Sequence, residues 1–162
     1  MTQQKGEFGT EKTREAALAE IANRIFFRLY QSANMMHKTG TRALDEFGVT
    51  TQQWAVIGAL SRPQAEDGLS VGDLARFLMV SRQNIAGVVT RLEDQGCLER
   101  LRDSNDGRSR RIRLSERGRE LWRAIRPAIH EYYDEALAGF SFEDRTALLT
   151  GLNRLLDNMK RL

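Results

Sequence analysis

The chain has 162 residues, 41% of them apolar and 29% charged, with one Cys and a formal net charge of +3, enough for one domain or two small ones sharing a core. One Cys excludes an internal disulfide framework, and no apolar run reaches the ~18 residues of a membrane span. The opening run MTQQKGEFGTEKTREAA lacks the apolar segment of a secretory leader, so the expectation is a soluble, cytoplasmic protein with no membrane partner.

Residues 1–12 are polar, carry two Gly and show no periodicity, which reads as a disordered N-terminal arm. From 13 to 38, Leu18, Ile21, Ile25, Phe26, Leu29, Ala33 and Met36 form a helical stripe. Gly40 is expected to end it, and a short helix over 41–47 to stop at Gly48. Thr50 or Thr51 caps a helix carrying Trp54, Ile57 and Leu60, which stops before Pro63. After a loop, Ser70 reads as the N-cap of Val71–Leu78, with Asp73 in the first turn. Ser81 caps the next helix, whose apolar face is Ile85, Val88, Val89 and Leu92, and Gly96 is its stop signal.

The period then changes. Residues 97–103 and 110–114 read as two short strands, joined through Ser104-Asn105-Asp106-Gly107, a hairpin signal. Ser115 caps a long helix to Ala138, with Leu121, Trp122, Ile125, Ile129, Tyr132 and Ala136 on one side. Pro127 is expected to kink it. Gly139 breaks it, and Ser141 caps a last helix striped with Leu148, Leu149, Leu152, Leu155, Leu156 and Met159.

The modest net charge conceals an asymmetry. Between Arg100 and Arg126 stand ten Arg and four acids, a local charge of +6, so the remainder sums to −3. Arg forks onto phosphates and base edges better than Lys, which makes double-stranded DNA a candidate partner. The alternative is a solvated charged face.

Two short helices joined by a tight turn, the second capped and followed by a basic hairpin, describe a winged helix-turn-helix. The second helix fits a major groove, its N-terminal turn meeting base edges, while the hairpin reaches the neighbouring minor groove. With Ile85, Val88, Val89 and Leu92 inward, Gln83, Ala86, Gly87, Thr90 and Asp94 face outward, flanked by Arg82, Asn84 and Arg91. The small Ala86 and Gly87 permit close approach to DNA. The turn Leu78-Met79-Val80 lacks the Gly that many such units carry.

The run LERLRDSNDGRSRRIRLSERG, residues 98–118, resembles the wing of the MarR family of winged-helix regulators: an Asp, basic residues, a basic-apolar strand, then Leu-Thr-x-x-Gly. Here these are Asp106, Gly107, Arg108, the strand from Arg110, then Leu114, Ser115 and Gly118. Gly107 stands where a second Arg is common, and Ser115 replaces Thr. The resemblance extends upstream through LSVGDLARFLMVSRQNIAGVVTRLEDQGCLER. It implies a homodimer whose helices near 13–38, 116–138 and 142–162 interleave, reading a pseudo-palindrome with half-sites roughly 10 bp apart. It also implies that Asp106 positions Arg108 in the minor groove, where narrow A·T-rich stretches attract Arg.

Relatives in the family bind anionic, often aromatic ligands between the dimerisation helices and the winged domain. Candidate contacts here are Phe26, Tyr30, His37, Arg42 and Trp54: aromatics to stack, Arg42 or His37 to hold a carboxylate. Plain core or interface roles are the alternative for the aromatics. The two His and one Cys lack metal-ligand spacing. Cys97 reads as a small buried apolar residue, whereas family members that sense oxidants carry Cys in the first helix. No catalytic motif appears, so neither enzyme activity nor a cofactor is expected.

The expected architecture is mainly α with a small β-hairpin wing: an arm over 1–12, a helical dimerisation region over 13–48 and 116–162, and a winged helix-turn-helix over 49–115. The expected function is a homodimeric transcriptional regulator, a repressor released from DNA by a small aromatic carboxylate or its coenzyme A thioester. The rival is a ligand-independent architectural DNA-binding protein. Expected DNA contacts are Ser70, Ser81, Arg82, Gln83, Asn84, Thr90, Arg91, Asp106, Arg108 and Arg110.

Overall fold

Hydroxyl caps set the starts of five of the six helices. In a computed structural model, which describes the backbone of residues 4–102 and 110–162 and the side chains of 13–101 and 110–162, the helices are α1 (Gln4–Ala43), α2 (Thr51–Leu60), α3 (Val71–Leu78), α4 (Arg82–Asp94), α5 (Glu116–Ala136) and α6 (Phe142–Met159). Strands β1 (Leu98–Arg102) and β2 (Arg110–Leu114) lie between α4 and α5. Thr50, Ser70, Ser81, Ser115 and Ser141 each accept a hydrogen bond from the backbone N–H three residues on. Each satisfies a donor that the helix cannot. At Thr50 the Gln53 side chain returns the bond to the Thr50 N–H at 2.9 Å, closing a capping box. The mainly helical chain with one small hairpin is the fold class expected from the sequence.

Several boundaries differ from expectation. The helix expected to begin at residue 13 begins at Gln4, inside the segment read as a disordered arm. Nor does Gly40 end α1, which continues to Ala43. A helical glycine costs only about 1 kcal/mol relative to Ala, and the chain turns at Gly48 instead, where φ is 63°. Residues 45–47 form a 3-10 turn rather than part of a separate helix from 41. Helix α5 runs unbroken across Pro127.

The turn without a glycine is made by Met79, which takes the left-handed conformation at φ 56°, ψ 40°. Its N–H reaches the Ala75 and Arg76 carbonyls, and the Val80 N–H bonds Ala75 O at 3.1 Å. This is the helix-ending geometry glycine normally supplies. A side chain there costs about 1–2 kcal/mol, partly offset because Gly loosens the unfolded chain. Met79→Gly is therefore expected to leave stability unchanged or raise it by up to ~1 kcal/mol. A denaturant midpoint clearly below wild type would show that Met79 makes contacts that outweigh the strain.

The chain divides into one unit ending at Arg42 and another from Ala43 to Leu162. In the second unit, Ile57 of α2, Leu74 of α3, Leu92 of α4 and Ile112 of β2 are fully buried together. The hairpin is antiparallel, with Leu98 opposite Leu114 and Arg100 opposite Ile112. Leu69 bridges the other edge of β2: its N–H bonds Ile112 O at 2.9 Å and its carbonyl accepts from Ile112 N–H at 2.8 Å. Gly68 must pass so near Ile112 that a Cβ would stand 2.9 Å from its carbonyl oxygen. A second cluster joins Leu44, Val49, Ile125 and Ile129, with Trp54 packed against it.

Among the described residues, no helix is long and apolar enough to cross a membrane. Helix α6 buries no side chain: Phe142 is 79% exposed and Leu149 60%. In α1, Leu18, Ile21, Ile25, Phe26, Phe27 and Tyr30 are all exposed.

Candidate nucleic-acid interface

The outer face of α4 is chemically uncommitted. Ile85, Val88, Val89 and Leu92 are buried, whereas Arg82, Gln83, Asn84, Ala86, Gly87, Thr90 and Arg91 are exposed. Nothing lies within 4 Å of where a Gly87 Cβ would stand. The side chains of Gln83, Asn84 and Arg91 make no hydrogen bond or ion pair with the described residues. Thr90 Oγ1 donates to the Ala86 carbonyl at 3.0 Å, so its proton is spent within the helix.

The two serines differ. Ser81 Oγ accepts from the Asn84 N–H at 3.2 Å, and its own proton meets no acceptor among the described residues. Ser70 Oγ accepts from the Asp73 N–H at 3.1 Å and donates to Asp73 Oδ2 at 2.6 Å, so its proton and one lone pair serve the start of α3. That hydroxyl, and next the Arg76 guanidinium paired with Asp73, hold the Asp73 carboxyl below the ordinary carboxylate range. Ser70 therefore positions α3. Arg82 does not simply point outward: a Cβ on Gly72 would stand 2.9 Å from Arg82 Nη2, so the guanidinium lies against the first turn of α3. Free N–H groups, the positive helix end and a guanidinium are gathered at one place, a combination suited to a phosphate.

In the hairpin the arginines divide by role. Arg113 pairs with Glu99 across the strands at 2.6 Å, and Arg100 forks onto Glu93 of α4 at 2.5 and 2.8 Å. Arg111 clamps the loop before α3, donating to the Asp67 carbonyl at 3.0 Å and the Gly68 carbonyl at 2.7 Å. Arg100 and Arg111 hold the hairpin to the domain, and Arg113 ties its two strands together. Arg110 is exposed and has no partner among the described residues. Asp106 and Arg108 lie outside the described residues.

The ligand candidates divide between the two units. Phe26, Tyr30 and His37 share a face of α1, since offsets of 4 and 11 residues return close to the same direction. Because α1 is unbroken at Gly40, Arg42 keeps the helical phase and projects about 160° away from Phe26. It stands in the last turn of a helix, not on a bend. Trp54 belongs to the second unit, where it meets Tyr133 edge-on at 6.2 Å. Sequence reasoning missed the Arg111 clamp and the lie of Arg82; both depend on contacts across the fold, for which local spacing carries no signal.

A model of the MarR family matches residues 47–109. The chain is 52% identical over 159 residues to the transcriptional activatory protein BadR of Rhodopseudomonas palustris, covering 98% of this chain and 90% of that one. It is 32% identical over 95 residues to the homoprotocatechuate degradative operon repressor of Escherichia coli, covering 59% of this chain and 62% of that protein. Among solved structures, the PcaV transcriptional regulator of Streptomyces coelicolor, in complex with its natural ligand, superposes with a TM-score of 0.65 at 26% identity. That match covers 77% of this chain and 89% of that one.

Proposed function

Since this chain belongs to the MarR family and is a DNA-binding transcriptional regulator, not an enzyme, we propose that it works in the cytoplasm as a homodimer that reads a pseudo-palindromic operator and answers to a small aromatic anion. The observation that carries the reading is the uncommitted outer face of α4, with Gln83, Asn84 and Arg91 exposed and without a partner among the described residues, beside the basic hairpin. On this proposal Gln83 and Asn84 meet base edges, Arg82, Ser81 and the start of α3 hold a phosphate, and Arg108 with Arg110 contacts the minor groove or its rim, Asp106 orienting Arg108. The winged unit spans 49–115 and the dimerisation region 13–48 with 116–162.

Two copies are supported by the apolar stripes of α1 and α6, too large for a monomer to leave wet. Removing residues 142–162 is expected to give an insoluble or monomeric product that does not hold a palindrome. A truncated chain that still sediments as a dimer would place the interface elsewhere.

The sign of regulation is read as activation, because the relative matched over 98% of the chain is an activatory protein. Repression is the second reading, carried by the E. coli relative. A reporter placed behind the selected operator, with and without the protein, decides between them. For the effector, the solved PcaV structure carries a natural ligand and the E. coli relative represses a homoprotocatechuate degradative operon, which supports a small aromatic acid here, with Phe26, Tyr30 and His37 on one face of α1 as the proposed contacts. Melting against a panel of aromatic acids and their coenzyme A thioesters tests this, since a binder raises the melting temperature by mass action. A panel without a single shift favours the ligand-independent, architectural role.

Gln pairs bidentately with adenine, at ~1–3 kcal/mol of discrimination. Gln83→Ala is therefore expected to relax preference at one base position per half-site. Selection from random DNA reads this out, and an unchanged motif would remove Gln83 from base reading.

A further inference from the structure

We propose that a cavity at the base of the hairpin, lined by Arg62, Arg113, Arg119, Arg123, Trp122 and Leu60, binds a small phosphorylated molecule that carries a planar ring. The cavity measures about 670 Å³, within the span of small-ligand sites. Its walls come from the end of α2 and the loop beyond it, the end of β2 and the first turns of α5, with no residue from α3 or α4. No residue of the outer face of α4 lines it.

Four guanidinium groups converge there from three separate segments, whereas a merely solvated basic face would string its charges along one helix. Their mutual repulsion is only partly answered. Arg113 pairs with Glu99 at 2.6 Å, while Arg119 at 2.8 Å and Arg123 at 3.1 Å share the single carboxylate of Glu116. Arg62 pairs with no carboxylate among the described residues, although Glu66 also lines the cavity, and it lies over the Phe77 ring of α3, 4.6 Å from its centroid. Arg119 also donates to the Leu114 carbonyl at 2.9 Å, which fixes the floor of the cluster to the end of β2.

The charge selects the ligand. A monocarboxylate offers nothing that Glu99 and Glu116 do not already offer, and would compete with them as an equal. A phosphate monoester carries more charge and three acceptor oxygens, enough to engage several forks at once. The ring follows from the rest of the lining. Trp122 sets the edge of its six-membered ring against Gly58, where a Cβ would stand 3.4 Å from Cη2. The half-buried indole lines the cavity with Leu60, and its N–H makes no hydrogen bond with the described residues. A flat apolar group has a wall to lie on and one donor to meet.

The test is a calorimetric titration of the full chain with AMP, and separately with inorganic phosphate and with adenosine. AMP is expected to bind at least about tenfold more tightly than phosphate, with adenosine silent. The double variant Arg62→Ala/Arg123→Ala removes two exposed side chains; it is expected to keep the wild-type melting temperature and weaken AMP binding by about tenfold or more. Arg126→Ala, on α5 but outside the cavity, is expected to bind AMP as wild type does. If the double variant melts early, Arg62→Gln alone carries the same comparison. No heat with AMP at millimolar concentration, equal binding of adenosine, or unchanged AMP affinity in the double variant would each overturn the proposal. So would a double variant that binds AMP normally but loses operator affinity, which would assign these arginines to DNA phosphate.

Discussion

Replacing Gly118 with alanine is expected to destabilise the fold by roughly 3–5 kcal/mol, enough to leave little folded protein. Gly118 is buried in the first turn of α5, where that helix presses on the start of the hairpin. A Cβ at this position would penetrate the Cys97 carbonyl oxygen, and would also stand 3.1 Å from the carbonyl carbon and 3.3 Å from Leu114 Cδ2. The obstacle is backbone, and it is pinned. The Cys97 carbonyl accepts the Ser115 N–H at 3.1 Å, Ser115 Oγ donates to the Gly96 carbonyl at 2.6 Å, and the Gly118 N–H returns to Ser115 Oγ at 3.0 Å. Relief requires α5 to lift from the hairpin, which would break the cap and open the core around Leu114. Thermal or denaturant unfolding monitored by circular dichroism gives the answer. A Gly118→Ala chain with a wild-type midpoint would mean that the packing of α5 on the hairpin is looser than these contacts require.

The same residues show why the hairpin is legible in the sequence. Leu114, Ser115 and Gly118 are close in sequence, and each has a local duty: strand end, cap, and close approach. Caps at Thr50, Ser70, Ser81 and Ser141 are local in the same sense, as is the alternation through Ile112 and Leu114. Where the sequence misled, a local signal met a long-range or energetic compromise. Gly40 is a stop signal only if the chain turns there, and an unbroken α1 costs no more than the helical penalty of one glycine. Met79 performs the turn that the absence of glycine seemed to deny, accepting strain in place of a motif residue.

The site was legible to a different depth. The alternation of buried and exposed positions along α4 follows from Ile85, Val88, Val89 and Leu92 alone, so the outward set could be read from period. The duties of individual arginines could not. Ten in one stretch look alike on paper, yet Arg111 holds a loop carbonyl, Arg113 a cross-strand acid, and Arg110 nothing among the described residues. The partner of each is fixed by sheet register and by the return of the loop at Gly68. Neither is encoded within a few residues of the arginine itself. The cavity beside Trp122 is of the same kind, since Arg62 and Arg119 meet only once β2 and α5 are folded.

Gly87 offers the sharpest separation of reading from folding. It sits in mid-helix on the exposed face of α4, with helical backbone angles and open space where a Cβ would go. Packing gives no reason for glycine, and propensity argues against it by about 1 kcal/mol. Gly87→Ala is therefore expected to raise stability by roughly 0.5–1 kcal/mol, or about 2–4 °C per kcal/mol in a chain of this size. Leucine is nearly as good a helix former, so Gly87→Leu should also fold at least as well as wild type. Operator binding should respond in the opposite sense. If α4 enters a major groove on its Gln83–Gly87–Thr90 face, a leucine side chain stands where base edges and backbone must come. The helix is then held off, and the contacts of Gln83 and Asn84 are lost together. A loss of about a hundredfold in operator affinity, roughly 3 kcal/mol, is expected, with alanine intermediate. Non-specific binding depends on charge alone and should change little at fixed salt. Melting curves and gel-shift titrations on the three proteins suffice. A Gly87→Leu chain that melts higher and binds its operator as tightly as wild type would show that this face of α4 does not enter the groove.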